Sequence, residues 1–277
     1  MAFVEVEGLK IYTEVHGHGT PLLLINGMDS SSCEPWKRFQ VPAFAKEYRV
    51  ILYDQRGTGR SQMPEGGYST RDLAREAVGV LEALEIKEPA HVLGISMGGR
   101  IAQWVALNYA NRVRGLVLAS TGPGQYKEGF EPTRGIPLHV AEGLIEKGYE
   151  AYMRDHLSSP VFFPPEVAAA KPELVEWERS GFFEHMMPLK SYLRHTVARQ
   201  RHQTYERLGE IKAPTLVICG ERDTAVLSTG NHVESSRAMA ERIPRAKLHI
   251  IRGAAHSIFW QEPEETNAVV LDFLRRP

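Results

Sequence analysis

The stretch His91-Val92-Leu93-Gly94-Ile95-Ser96-Met97-Gly98-Gly99-Arg100 decides the fold class. Its first half is a short apolar run typical of a buried strand, and the residues that follow it repeat apolar side chains at helical spacing. A strand therefore passes directly into a helix. Gly94 and Gly98 flank Ser96 at a distance of two residues, where larger side chains would collide with the neighbouring strand and helix. The pattern predicts a sharp turn that holds the Ser96 hydroxyl above the edge of a sheet.

The Ser96 hydroxyl is a candidate nucleophile. A helix that begins directly after it favours negative charge near its N-terminus. Glycine and serine also make up tight strand-to-helix turns that have no catalytic role, so this motif alone leaves that alternative open. A serine hydroxyl at neutral pH needs an adjacent base, and the base needs an orienting acid.

Position along the chain selects the base and the acid. His256 follows the last apolar run in a loop of small residues, and Asp223 follows the run before it. Catalytic groups of open α/β sheets gather at the carboxyl ends of the strands, where both residues are expected. The order Ser96, Asp223, His256 is the serine–acid–histidine order of one such fold. An ordinary loop histidine, a turn-forming aspartate, and Glu221 as the acid are the alternatives.

Six short apolar runs predict parallel strands that helices cover on both faces. They are residues 22–25, 50–53, 91–95, 116–118, 215–218 and 248–251. Two stretches of alternating side chains, 3–6 and 9–15, predict an antiparallel hairpin. Helical periodicity is found at residues 70–84, 97–109, 233–243 and 263–274. This alternation predicts an α/β protein with a mostly parallel, eight-stranded sheet flanked by helices.

The alternation breaks between about Gly122 and Glu210, where amphipathic helical stretches follow one another without strand runs. We therefore expect a core domain formed by residues 1–123 and 211–277, with a helical insertion at residues 124–210. Apolar side chains in the insertion are expected to divide between its own core and a pocket lining.

Composition excludes several functional classes. The chain has 277 residues, and 33 Lys and Arg face 34 Asp and Glu, a net charge of −1 that gives no general attraction to nucleic acid or to an anionic membrane. Its two cysteines, Cys33 and Cys219, cannot form a disulfide framework. The first residues are unlike a secretory signal, and no apolar run approaches the length of a membrane span. A cytoplasmic protein without nucleic-acid or membrane partners is expected.

Four segments of the chain resemble α/β-hydrolases. They are residues 22–28, residues 54–61, residues 94–99, and residues 253–256 together with 262–264. The likeness covers nearly the whole chain and is greatest to the esterase, 3-oxoadipate enol-lactonase and cofactor-free haloperoxidase-like branch. The resemblance implies the α/β-hydrolase fold, a catalytic triad of Ser96, Asp223 and His256, and a helical cap over the active site.

The resemblance also implies an oxyanion hole made by the backbone N–H groups of Met28 and Met97. Main-chain donors suit this role because they need no reorganisation as charge forms on the substrate oxygen. Similar proteins usually have His-Gly before the first of these donors, whereas this chain has Asn26-Gly27. The change is expected to leave the Met28 amide available and to alter the hydrogen bonds of its loop.

The function expected from these residues is hydrolysis of a small-molecule carboxylic ester or lactone through an acyl-enzyme intermediate. One alternative is a carbon–carbon bond hydrolase of ring-cleavage dienoates, which some similar proteins are. Another is a small-molecule receptor on the same fold, without catalysis. No cofactor and no metal ion are expected, since the histidines lack a metal-binding motif such as H-E-x-x-H. A homo-oligomer stays open.

Overall fold

The computed structural model describes residues 2–128, 134–224 and 231–276. Eight strands form one sheet in the spatial order β1-β2-β4-β3-β5-β6-β7-β8. Their bounds are β1 Ala2–Val6, β2 Leu9–His16, β3 Thr20–Ile25, β4 Tyr48–Tyr53, β5 Ala90–Ile95, β6 Val113–Ala119, β7 Thr215–Gly220 and β8 Ala246–Ile251. The predicted α/β class and eight-stranded sheet are confirmed.

Strand direction follows the pattern of the sequence. The alternating stretches β1 and β2 pair antiparallel, and β2 also runs antiparallel to β4. The six apolar runs, β3 to β8, pair with their neighbours in parallel. Parallel strands are covered on both faces, and accordingly every residue of β5 and of β7 is buried. The carboxyl ends of β3, β5, β7 and β8 thus lie along one edge of the sheet.

Eleven α-helices are found in the described residues. They are α1 Trp36–Phe44, α2 Thr70–Ala83, α3 Met97–Asn108, α4 Leu138–Lys147, α5 Tyr149–Leu157, α6 Pro165–Ala170, α7 Pro172–Glu184, α8 Leu189–Gln200, α9 His232–Arg242, α10 Ile258–Gln261 and α11 Pro263–Arg275. The helices predicted at α2, α3, α9 and α11 are present within two residues of the expected bounds. None of the helices in the described part of the chain has the length and apolar character needed to cross a bilayer.

The segment between β6 and β7 contains most of its regular structure as helices. Helices α4 to α8 and a 3₁₀ helix at Tyr205–Glu210 lie there, and no strand does among its described residues. It contacts the β8 side of the sheet at several points, for example where the His256 N–H donates to the Val161 carbonyl at 3.2 Å. The division of the chain at residues 124 and 210 into core and cap stays a prediction.

The junction of β5 and α3 is packed too closely for side chains. A Cβ atom at Gly94 would lie 2.2 Å from the Gly98 carbonyl oxygen, and one at Gly98 would lie 2.1 Å from the Ile25 carbonyl oxygen. Both obstacles are backbone atoms, which cannot move aside as a flexible side chain can. The two glycines of the motif therefore let α3 begin directly against the end of β3.

Replacing Gly98 by alanine should destabilise the protein, because the new methyl group would push α3 away from Ile25. We expect Gly98→Ala to lower the free energy of unfolding by about 2 kcal/mol or more, as overpacking typically does. Gly66→Ala is the matched control, since Gly66 is exposed and a Cβ there meets nothing within 4 Å. Urea unfolding of both variants measures the difference; equal stabilities would show that the close packing carries no constraint.

Candidate active site

Ser96 sits in a strained backbone conformation between β5 and α3. Its φ is 55° and its ψ is −119°, a region that residues with a side chain rarely adopt. Two hydrogen bonds hold the turn: the Ser96 N–H donates to the Ala119 carbonyl at 2.9 Å, and Thr121 Oγ1 donates to the Ser96 carbonyl at 2.6 Å. The strain presents the Ser96 side chain at the sheet edge, as the glycine–serine motif predicts.

Two helix starts supply free backbone donors beside Ser96. Met97 is the first residue of α3, and Met28 is the first residue of a 3₁₀ helix at Met28–Ser30. The amides at such positions have no acceptor within their own helix. Gly27 allows the loop that carries Met28 to lie against Ser96, because a Cβ atom at Gly27 would lie 3.1 Å from Ser96 Cβ. This placement suits a pair of oxyanion donors, a role that stays a prediction.

Asn26 holds the loop that carries Met28. Its side-chain Nδ2 donates to the Ser32 carbonyl, and its own carbonyl accepts a hydrogen bond from Gln55 Nε2 at 2.9 Å. The asparagine that stands where similar proteins usually have histidine therefore fastens the loop from both its side chain and its backbone. Neither of these two hydrogen bonds involves the Met28 amide.

His256 and Asp223 form a buried pair. His256 Nδ1 donates to Asp223 Oδ2 at 2.9 Å, and the relative exposures of the two residues are 6% and 0%. Burial opposes a charge on either group, but each charge favours the other. As a result the pKa of Asp223 lies well below its ordinary value, and the charge and hydrogen bond of Asp223 raise the pKa of His256. Because Nδ1 is held by the carboxylate, Nε2 is the atom left to act as a base.

Ser96 and His256 line one cavity at the carboxyl ends of the strands. The cavity measures about 20 Å³, room for about one water molecule, and its wall also includes Phe162 and Glu178 of the inserted helical segment. The described residues include no hydrogen bond between Ser96 Oγ and the His256 ring. Such contacts commonly tighten only when substrate is bound.

Glu221 does not take part in this arrangement. It is exposed, and its Oε2 accepts a hydrogen bond from the Gly253 N–H at 3.0 Å. Of the two acids that sequence reasoning leaves open, the structure therefore brings Asp223 to His256. The catalytic roles of Ser96, Asp223 and His256 stay predictions that this geometry supports.

A second histidine shares the Asp223 carboxylate. His232, the first residue of α9, donates from Nδ1 to Asp223 Oδ1 at 2.9 Å, so each carboxylate oxygen accepts from one ring. The two rings stack with centroids 4.8 Å apart. Burial lowers the pKa of His232 although the nearby Asp223 carboxylate opposes this. The lowered pKa favours the neutral form of the ring. Sequence reasoning missed this residue; the start of a helix just beyond the Asp223 loop is the one signal that pointed to it.

Asp223, His232 and His256 also form a group that could hold a metal ion, because one ligand atom from each lies within 4.8 Å of the others. Both Nδ1 atoms already donate to the carboxylate. A cation bound there would have to displace those hydrogen bonds and would release the His256 ring from its orientation. The expectation that the protein uses no metal stays a prediction.

The cavity wall carries two further carboxyl groups, neither of which sequence reasoning found. Asp29 lies 3.3 Å from the His156 ring, whose charge helps to hold the pKa of Asp29 below its ordinary value against the effect of burial. Glu178 of α7 is hydrogen-bonded to Ser257 instead, and burial raises the pKa of Glu178 to about 7. No sequence motif marks Glu178, so its position at the cavity is visible only from the way α7 packs over the sheet.

The fold agrees with the comparisons. The model of the alpha/beta hydrolase fold family matches residues 20–263. The chain belongs to this family and is a hydrolase of the α/β-hydrolase fold, as the sequence resemblance predicts.

Two relatives and one solved structure illustrate the range of the family. The chain is 33% identical to the "Putative carbamate hydrolase RutD" of Azorhizobium caulinodans, over 95% of this chain and 94% of that protein. It is 32% identical to the 2-hydroxy-6-oxononadienedioate/2-hydroxy-6-oxononatrienedioate hydrolase of Burkholderia vietnamiensis, over 97% and 92%. The enol-lactonase of Burkholderia xenovorans LB400 superposes with a TM-score of 0.85 over 99% and 100% at 23% identity, a likeness of fold alone.

Removing the triad charge should reduce turnover strongly. We expect Asp223→Asn to lower kcat by about 10⁴-fold, because the amide cannot hold His256 in the required tautomer. Glu221→Gln should stay within about threefold of the wild type, since Glu221 is exposed and bonded to Gly253. Steady-state hydrolysis of p-nitrophenyl acetate compares the two. A larger loss in Glu221→Gln would make Glu221 the acid.

The pH dependence should report the charge of Asp223. A neutral His256 is needed to accept the serine proton, so kcat/KM falls as the pH drops through the pKa of His256, which Asp223 raises above 6.5. In Asp223→Asn burial lowers the pKa of His256 and only the charges of Asp29 and Glu178 oppose it, so we expect the acid limb of the residual activity to move to lower pH. Both pH profiles are measured in proteins that also carry Glu178→Gln, because this substitution removes the other cavity group that titrates near neutrality. An acid limb that does not move would contradict the pairing.

Proposed function

We propose that this hydrolase cleaves a small-molecule carboxylic ester or lactone through an acyl-enzyme on Ser96. The observation that carries the proposal is the Asp223–His256 hydrogen bond, whose imidazole faces the same cavity as the strained Ser96 turn. An oriented base, a presented hydroxyl and two helix-start amides are the parts that acyl transfer requires. The cytoplasmic location, the small-molecule partner and a homo-oligomeric state belong to the same proposal.

The reaction proceeds in two halves. His256 Nε2 takes the proton of Ser96 Oγ as that oxygen attacks the substrate carbonyl, and the Met28 and Met97 amides receive the negative charge on the carbonyl oxygen. His256 then gives the proton to the leaving alcohol, which departs as the ester bond breaks. In the second half, water loses a proton to His256 and attacks the acyl-enzyme. His256 then returns that proton to Ser96 Oγ as the acyl bond breaks, which releases the acid and restores the Ser96 hydroxyl.

Substrate entry requires part of the cavity wall to move. An acyl group is larger than the one water that the cavity admits, and Phe162 stands with its ring 5.6 Å from the His256 ring. Displacement of the Phe162 ring, with α7 left in place, is the shortest way to make room. Closure afterwards would exclude water from the first half of the reaction.

The relative named as a carbamate hydrolase supports the same acyl-transfer steps, because a carbamate is also a carbonyl with a leaving group. The relative named as a dienedioate hydrolase supports carbon–carbon hydrolysis as a second candidate. The cavity favours acyl transfer over carbon–carbon hydrolysis of a dicarboxylate. Its wall, within the described residues, contains Asp29 and Glu178 and no lysine or arginine that would bind a dicarboxylate.

The test of the proposed function is serine-dependent hydrolysis. p-Nitrophenyl acetate, butyrate and octanoate, a set of small lactones and a ring-cleavage dienoate are given to the wild type, to Ser96→Ala and to Ser158→Ala. We expect ester or lactone turnover to fall by about 10⁴-fold in Ser96→Ala, because the nucleophile is gone. Ser158, which donates to Arg154 at the surface, is the control and should lose nothing.

Three other outcomes would contradict the proposal. Turnover of the dienoate alone would make it a carbon–carbon hydrolase. Full ester activity in Ser96→Ala would exclude the covalent mechanism. An intact fold with no turnover of any substrate would favour a receptor, which ligand-dependent thermal stabilisation would reveal.

A further inference from the structure

Glu178 places an unpaired carboxyl oxygen at the wall of the active-site cavity. Ser257 Oγ donates to its Oε1 at 3.0 Å, next to the base His256 in the chain. Its other oxygen, Oε2, is buried and has no hydrogen-bond partner among the described residues. A buried polar atom without a partner costs free energy unless something else supplies one. In this cavity the missing partner would be the substrate.

The surrounding charges leave Glu178 free for that role. Asp29, the other carboxyl of the wall, already faces His156. No Lys, Arg or His nitrogen of the described residues lies within ion-pair distance of Glu178, and the neighbouring Arg179 pairs with Glu176. Asp29 Oδ1 also has no hydrogen-bond partner among the described residues, but it lies 3.3 Å from His156 Nε2, whereas Glu178 has no such basic neighbour.

The small size of the cavity fixes which part of a substrate Glu178 can reach. Ser96 and Glu178 lie across a space of about 20 Å³. A carbonyl attacked by Ser96 Oγ therefore has its first substituent atom close to the Glu178 carboxyl. In either protonation state a carboxyl has an oxygen that accepts a hydrogen bond, and in the ionised state it repels a second carboxylate.

We propose that Glu178 determines substrate specificity, its Oε2 accepting a hydrogen bond from an N–H or O–H group next to the scissile carbonyl. The cavity then favours uncharged acyl groups with such a donor, as in carbamates and hydroxy-acyl esters, over acyl groups that carry a carboxylate. This inference rests on the proposed function, since it takes Ser96 as the atom that meets the carbonyl.

The test compares substrates of equal size. p-Nitrophenyl carbamate and p-nitrophenyl acetate differ by NH₂ against CH₃, and p-nitrophenyl hemisuccinate adds a carboxylate that p-nitrophenyl butyrate lacks. The second-order rate constant for first-turnover release of p-nitrophenol is measured, so that slow deacylation does not matter. The proteins are the wild type, Glu178→Leu, Glu178→Gln and Glu173→Gln, whose exposed side chain on the same helix makes it the control.

We expect Glu178→Leu to lower the ratio of the carbamate rate to the acetate rate by about tenfold, the effect of one hydrogen bond. Glu178→Gln keeps an acceptor and should hold that ratio within about threefold. Both variants should raise the hemisuccinate rate relative to the butyrate rate, because the repelling charge is gone. Glu173→Gln should change neither ratio. Losses that are equal for all four esters would mean that Glu178 only fastens α7 to Ser257, and would overturn the proposal.

Binding to an inactive protein separates this inference from the proposed function. Titration calorimetry of phenyl carbamate and phenyl acetate with Ser96→Ala, and with Ser96→Ala carrying Glu178→Leu, gives the ratio of their Kd values without turnover. A preference for the carbamate that Glu178→Leu abolishes supports the inference even if the wild type hydrolyses no ester. Equal Kd ratios in the two proteins overturn it, whatever the wild type hydrolyses.

Discussion

The contact between the first turn of α3 and the end of β3 is the constraint on which the active site depends. Gly98 lies so close to the Ile25 carbonyl that no side chain fits between them. This approach sets Met97 and Met28 on either side of Ser96, and the left-handed conformation of Ser96 follows from making the turn in so little space. The proposed nucleophile and its two proposed amide donors therefore come from one packing arrangement of two adjacent strands.

The electrostatics of the site depend on the single charge of Asp223. Its two oxygens each accept from one imidazole, so the buried carboxylate is satisfied by two neutral donors and neither ring needs to carry a charge at rest. In the proposed reaction His256 then becomes the imidazolium, which the carboxylate stabilises. His232 holds the second oxygen in place and thereby fixes the plane in which His256 is oriented.

The sheet and the turn at Ser96 could be predicted from short stretches of sequence. Apolar runs such as residues 22–25, and the spacing of Gly94, Ser96 and Gly98, reflect packing that is local in the chain. The pairing of residues far apart in the chain left weaker signals. Asp223, the predicted acid, and its alternative Glu221 lie two residues apart in the sequence, and only the fold turns one inward and the other to solvent. His232 and Glu178 had no motif, since their roles arise from how α9 and α7 pack on the sheet.

The central claim is that a substrate acyl group becomes covalently attached to Ser96. Its most direct test is mass spectrometry of the wild type, mixed with p-nitrophenyl butyrate and stopped in acid within milliseconds. The account predicts one added butyryl group per chain, located by digestion on the peptide that contains Ser96, and its loss on longer incubation. Product formation with no acyl adduct, or an adduct on another residue, would contradict it.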